Sequence, residues 1–397
     1  MSKRKSWTLI DVAVNPHEDV CADSLTLDAA DLGMPDCRVE LQTLRGGLRD
    51  GIRLLTIDNG PLRVAILPDR GMGIWKAWRG EATENKWPLG WNSPVRGPVH
   101  PKFVPIGEPS GLGWLDGFDE LLCRCGLFSN GAPDFDDRGA LVHPLHGRIA
   151  NRPAHRLTAE ADCDAGEIRV VGIIDECRFH FQKLRLTSTI RMRPAEPRIN
   201  IVDEVTNLSG AAGEMQLLYH INFGPPLVEP GSRVLVPIRR LMPRDAHSAR
   251  GVRDWNRYGQ PRAGAIEDVF FCELLAGADC CTETLLTDAA AARGVSLRFR
   301  VDELPCFSLW KNVPAFEDGY VTGLEPATNF PNPRSFEAAN GRVRKLAAGE
   351  TTRFHLSLET HDTADAIAQV ERRIQALQAP ATSEICTGPQ PGWTQMK

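Results

Sequence analysis

Alternation of apolar and polar residues with a period of two recurs along most of the chain. Arg38-Val39-Glu40-Leu41-Gln42-Thr43-Leu44 puts its apolar side chains on one face and its polar ones on the other, the mark of a half-buried strand. Further strands are predicted at 53–57, 62–67 and 74–78, parted by Gly46-Gly47, by the turn signal Asp58-Asn59-Gly60 and by Pro68-Asp69-Arg70-Gly71-Met72-Gly73. They read as a meander of short antiparallel strands. Residues 184–192 and 198–207 alternate without a break on either side of Pro194-Ala195-Glu196-Pro197 and predict a hairpin. Strands are also predicted at 168–174, 216–223, 295–301 and 307–310, with a closing hairpin over 345–359. The period changes once. Ile367, Val370, Ile374 and Leu377 recur at helical spacing behind Asp362 or Thr363 as cap, so a helix ends the fold.

Residues 86–136 are rich in Gly, Pro and Trp and keep no period. They read as loops at one rim of a β-scaffold, with a short helix over 118–122. Residues 1–37 read as an N-terminal extension or edge element, 38–378 as one domain, and 379–397 as a polar, proline-rich tail without order. Many antiparallel strands and little helix make the expected fold class mainly β, a large β-sandwich.

Composition narrows function more than fold. The 397 residues are 42% hydrophobic and 24% charged, enough for a sizeable core. A net charge of −5 gives no reason to expect nucleic acid or an anionic membrane as partner. No apolar run spans a bilayer, and the basic start Met1-Ser2-Lys3-Arg4-Lys5 lacks the apolar segment of a secretory signal, so a cytoplasmic location is expected. The eleven cysteines show no paired framework, and Cys123-Arg124-Cys125 is not the C-x-x-C of a zinc site. Reduced cysteines and no metal are expected. His143 and His146 have a possible ligand spacing, but no third ligand follows at a fixed distance. Dinucleotide, P-loop, nucleophile-elbow and zincin motifs are all missing.

Three polar residues remain, each wrapped in Gly or Pro or at a strand end: His146, His220 and Glu325. A histidine titrates near neutrality, and a carboxylate takes the complementary role when its surroundings hold the two pKa values apart. Each also has a plainer reading: His220 as a core histidine, His146 as a polar loop residue, Glu325 as a partner of Arg334 or Arg342. The tryptophans, Trp310 among them, are core residues or platforms for sugar faces.

In chain order, Leu145-His146-Gly147, then Asp203-Glu204-Val205-Thr206-Asn207-Leu208 with Tyr219-His220-Ile221-Asn222-Phe223, then Gly323-Leu324-Glu325 through Phe330-Pro331-Asn332 resemble the motifs of the aldose 1-epimerases, or galactose-mutarotase-like proteins. More narrowly, Leu67-Pro68-Asp69-Arg70-Gly71, the run from Gly117 to Leu127 and Pro144-Leu145-His146-Gly147-Arg148 resemble a branch known as DUF4432. The resemblance implies a galactose-mutarotase-like β-supersandwich, a small sugar as substrate and no cofactor. It implies Glu325 as general base, His220 as general acid and His146 as the group that steadies charge at the ring oxygen. The reaction implied is anomer exchange. A lyase or keto-sugar isomerase using the same residues, metal-assisted or cofactor-free, and a carbohydrate-binding protein without turnover remain alternatives. Asn222 and Trp310 are expected to line the substrate, as is Asn329, which stands where the family usually has a histidine. Arg70, Arg124 and Arg148 would suit an acidic or phosphorylated sugar, or serve in structural pairs.

Overall fold

The structure, a computed structural model, describes residues 4–12, 16–80 and 87–395. Residues 1–3, 13–15, 81–86 and 396–397 lie outside the described residues, and with them parts of the expected extension, rim loops and tail. Two sheets of ten and fourteen strands face each other across one hydrophobic core. Pairing is antiparallel throughout, apart from Arg240-Leu241 beside Glu384-Ile385 and an isolated bridge between Gly126 and Gly147.

The ten-stranded sheet keeps the alternation seen in the sequence. Lys183–Met192 and Arg198–Asn207 bury every second residue and leave the others half-exposed. One face packs on the core and the other meets water, which is what a period of two encodes. The middle of the fourteen-stranded sheet differs. Leu122–Leu127 and Val321–Ala327 are buried at every position, and Gly213–Phe223 at all but its first two. A strand covered on both faces has no reason to alternate in polarity. The strand Leu122–Leu127, with sequence Leu-Cys-Arg-Cys-Gly-Leu, is therefore invisible to periodicity, and the helix expected over 118–122 does not form: 118–121 are irregular and Leu122 opens the strand.

The N-terminal residues are part of the sheets. Arg4–Asp11 pairs with Arg156–Asp162 near the edge of the ten-stranded sheet, and Ser24–Leu27 forms the edge of the other beside Arg38–Thr43. The tail is not disordered as expected. Glu384-Ile385 adds an edge strand, Trp393 stacks on Phe330 with ring centroids 4.9 Å apart, and Asn332 Nδ2 donates to the Trp393 carbonyl at 2.8 Å. One aromatic anchor and one buried amide order a segment whose composition is otherwise polar. The helix Ala364–Gln378 forms where expected. Thr363 caps it, and Ile367, Val370 and Ile374 pack on Leu285. Among the described residues, no helix is long and apolar enough to cross a membrane.

Candidate active site

The outer face of the fourteen-stranded sheet carries the site. Leu218 pairs with Ala327 and Ile221 with Leu324, a register that sets His220 opposite Glu325. The neighbouring strands bring Ser308 beside Glu325 and Cys123 beside His220. Side chains alternate across a strand. This outer face therefore holds Cys123, Cys125, His220, Asn222, Ser308, Trp310, Gly323 and Glu325. Arg124, Tyr219 and Leu324 point the other way, into the core between the sheets.

His220 Nε2 lies 3.2 Å from Glu325 Oε1, with the two side chains only 6% and 3% exposed. The surroundings fix the histidine tautomer. The Asn222 amide donates through Nδ2 to the carbonyls of Glu120 at 3.0 Å and His220 at 3.2 Å, so its oxygen faces His220 Nδ1 at 2.5 Å. Nδ1 therefore carries the hydrogen, and neutral His220 turns the lone pair of Nε2 towards Glu325. Burial pushes the Glu325 carboxyl up to about 8, with the His146 cation pulling the other way. Burial and the same cation push His220 down to about 3, against its bond to Asn222. Near neutrality the pair thus holds one proton, on or beside Glu325. Glu325 Oε1 is buried and accepts no hydrogen bond from the protein.

His146 reaches the same place from a loop. It sits at φ 56° and Gly147 at 73°, the left-handed region that costs a non-glycine residue energy. Backbone bonds hold it there: its N–H donates to Gly131 at 2.8 Å, and Gly126 N–H donates to its carbonyl at 3.1 Å. A Cβ at position 147 would meet the Ser129 and Gly126 carbonyls, so that glycine is required. His146 Nδ1 donates to the Asn130 carbonyl at 3.0 Å, and the two histidine rings lie 5.2 Å apart. Burial alone would lower the His146 pKa, but its hydrogen bond and ion pairing with the Cys125 thiolate raise it to about 9. Against its own burial, the thiol is held low, at about 6, by a hydrogen bond with Cys123 and by the His146 cation. His146 is thus a cation beside the pair.

Aromatic rings close the site. Trp114 lies 4.6 Å from His146, and Phe118 and Trp310 lie 5.2 and 5.3 Å from His220. The Trp114 indole N–H is buried without a partner. Trp310 Nε1 donates to Glu267 at 2.7 Å, and Glu267 accepts from Arg244 at 2.9 Å, which makes a polar rim.

Of the nine candidates from the sequence, the structure gathers Glu325, His220, His146, Asn222 and Trp310. Asn329 is near but not free. Its amide exchanges bonds of 2.9 and 2.8 Å with Asn130 and completes its valences with Thr328 and Phe330, so it braces the carbonyl that orients His146. Three arginines fall outside. Arg70 is fully buried against Glu120 at 2.5 Å and against the carbonyls of Val99 and Gly117, where it pins the loop carrying Trp114 and Phe118. Arg124 points into the inter-sheet core and pairs with Asp203 at 2.5 Å. Arg148 faces a separate hollow with Arg152 and Glu176. Glu325 is no partner of Arg334 or Arg342, which pair with Glu214 and Glu337. Among the described residues, no group of three His, Cys, Asp or Glu side chains could hold a metal ion.

Trp114 is one of the tryptophans read as core residues or sugar platforms; Cys125, Phe118, Asn130, Gly323 and the Arg244–Glu267 rim carry no such signal in the sequence. Gly323 was within reach, since counting back two from Glu325 along a strand lands on the same face. A Cβ there would lie 2.5 Å from Glu325 Oε1 and 3.2 Å from the Trp310 ring. Gly323→Ala is therefore expected to displace the carboxyl and cut turnover at least tenfold, with thermal stability lowered by about 1 kcal/mol. Parallel rate and melting measurements check it.

A family model described as "Domain of unknown function (DUF4432)" matches residues 49–360. A solved structure described as a "putative aldose 1-epimerase" from Klebsiella pneumoniae is 30% identical, covers 98% of this chain and 99% of its own, and superposes with a TM-score of 0.90. A galactose mutarotase-like protein from Clostridium acetobutylicum is 14% identical, with a TM-score of 0.52 over 83% of this chain and 99% of its own. Galactose 1-epimerase from Lactobacillus acidophilus is 12% identical, with a TM-score of 0.52 over 82% of this chain and 99% of its own. The last two share the fold. Among curated proteins, none matches the sequence.

Proposed function

We propose that this chain, which belongs to the DUF4432 family, is a sugar isomerase of the mutarotase type that exchanges the anomers of an aldose or modified aldose. The observation that carries the reading is the His220–Glu325 pair, 3.2 Å apart and buried, with the histidine tautomer set by Asn222 so that its Nε2 lone pair faces Glu325 Oε1. Anomer exchange needs one group to take the O1 proton and another to protonate the ring oxygen, so that the C1–O5 bond opens to the aldehyde. Rotation about C1–C2 and the reverse transfers close the ring on the other face. A pair that holds one proton between two bases serves both directions, and its total proton count returns to the start. The His146 cation steadies negative charge growing on the ring oxygen, and Trp114, Phe118 and Trp310 offer apolar faces to the sugar.

The pH dependence has a definite sign. Below about 8 the pair holds its proton, and above that Glu325 ionises while His220 stays neutral, so no proton is left to give. The rate constant kcat/KM is expected to stay level through neutrality and to fall above about pH 8. A rate that climbs through that range contradicts the shared proton.

Polarimetry on freshly dissolved single anomers of a panel of aldoses tests the function. At least one sugar is expected to equilibrate faster than buffer catalysis allows, in proportion to protein concentration. A panel in which none does removes the reading.

A further inference from the structure

A second polar hollow, of about 290 Å³, lies between the hairpin tip after Glu167–Cys177 and the segment just past His146. Arg148, Arg152, Arg178, Gln182, Cys177 and Glu176 line it. Its one acid is already committed: Glu176 is 2% exposed and accepts the backbone N–H groups of Leu127 at 2.9 Å and Phe128 at 3.2 Å. The three guanidiniums are not. None donates a hydrogen bond or closes an ion pair among the described residues, and Arg178 only lies over the Phe181 ring at 4.4 Å. Several part-buried arginines elsewhere have carboxylates in place, among them Arg53 with Asp69, Arg185 with Asp175 and Arg342 with Glu337. Three cations gathered around one carboxylate that is already bonded to backbone N–H groups carry more positive charge than the hollow balances. Burial pulls the Arg148 pKa below its ordinary value, and repulsion from Arg152 and Arg178 adds to this against the attraction of Glu176.

We propose that this hollow binds a phosphoryl group, with the planar N–H forks of Arg148, Arg152 and Arg178 donating to its oxygens. A phosphoryl group offers the acceptors and the double negative charge that three unpaired forks call for, and a guanidinium matches two of its oxygens at once. A neutral sugar satisfies neither need. The group arrives as inorganic phosphate or on a phosphorylated sugar. Arg148 N–H donates to the Gly126 carbonyl at 2.9 Å, and Gly126 N–H in turn donates to His146, so the hollow borders the segment that positions the site.

Calorimetric titration and thermal melting of the full chain test this, with inorganic phosphate, glucose 6-phosphate and glucose as probes at matched ionic strength in chloride. Inorganic phosphate is expected to bind saturably at one site and to raise the Tm of the wild type. Arg152→Gln and Arg178→Gln are each expected to weaken that binding about tenfold or more. Melting curves of both variants without phosphate separate lost binding from lost folding. Arg178 is exposed, so its variant tests binding even if Arg152→Gln folds poorly. Displacement of phosphate by glucose 6-phosphate but not by glucose makes a sugar phosphate the source, and displacement by neither makes it the free ion. Absence of saturable phosphate binding, or equal binding by both variants and the wild type, overturns the proposal.

Discussion

Replacing Glu325 with glutamine is expected to slow anomer exchange about 10²- to 10⁴-fold, the usual contribution of a positioned acid or base. The amide has the shape of the acid but neither gives nor takes a proton. The substitution also keeps a donor towards His220, because an amide N–H can face Nε2 where the shared proton lay. Stability is therefore expected to hold, and the linkage gives it a pH signature. The carboxyl is raised from an ordinary 4.5 to about 8 in the fold, chiefly by burial. An unfolded chain ionises it across that window and the folded one does not, so the acid costs stability as pH rises. The Glu325→Gln variant should accordingly gain on the wild type in Tm from about pH 4.5 towards 8. Rates by polarimetry and melting curves at three pH values check both halves. A variant with the wild-type rate takes Glu325 out of the reaction.

Replacing Arg124 with methionine is expected to cost about 3–5 kcal/mol of stability, because it leaves one member of a buried ion pair behind. Arg124 and Asp203 are both fully buried, joined at 2.5 and 3.1 Å across the two sheets. The remaining guanidinium bonds go to the carbonyls of Gly71 at 3.2 Å and Met72 at 2.6 Å and to Ser188 Oγ at 2.8 Å. Tyr219 donates to the same carboxylate at 2.9 Å, so the network fastens the strand carrying His220 from behind. Urea unfolding measures the loss, and Arg124→Met with Asp203→Leu should recover part of it by removing the stranded charge. A single variant that unfolds like the wild type but raises KM would put Arg124 in the substrate site instead.

The three arginines show where the sequence stops being legible. Arg124 and Arg148 sit close to site residues in the chain, Arg70 lies in the break after Leu67, and all three resembled charges for a cleft. In a strand, however, neighbours point to opposite faces. Arg124, between Cys123 and Cys125, is in the core because the cysteines are on the site face. Knowing that required recognising Leu122–Leu127 as a strand, and a strand buried on both faces gives no alternation to recognise. The half-buried hairpin of 184–207 is legible for the converse reason, as is the helix whose apolar stripe meets Leu285. The polar set was legible as motifs, since His146, His220 and Glu325 each sit in a local sequence that fixes their backbone. Their surroundings were not. Phe118 and Arg244 reach the site from loops and rims distant in sequence, and the tail is ordered by a short edge strand, a buried amide and a tryptophan that composition cannot weigh.

The measurement closest to the central claim is exchange spectroscopy by proton NMR, in D2O, on an aldose at anomeric equilibrium with the wild type and with Glu325→Gln. Ring opening and closing moves only hydroxyl protons. The wild type is expected to produce cross-peaks between the two anomeric C1–H signals, with the C1–H and C2–H intensities undiminished over hours, and the variant to produce none above the uncatalysed level. Loss of the C2–H signal to deuterium would instead mark proton abstraction beside a carbonyl, and equal cross-peaks with wild type and variant would show that Glu325 does not carry the exchange. Either result would contradict the account.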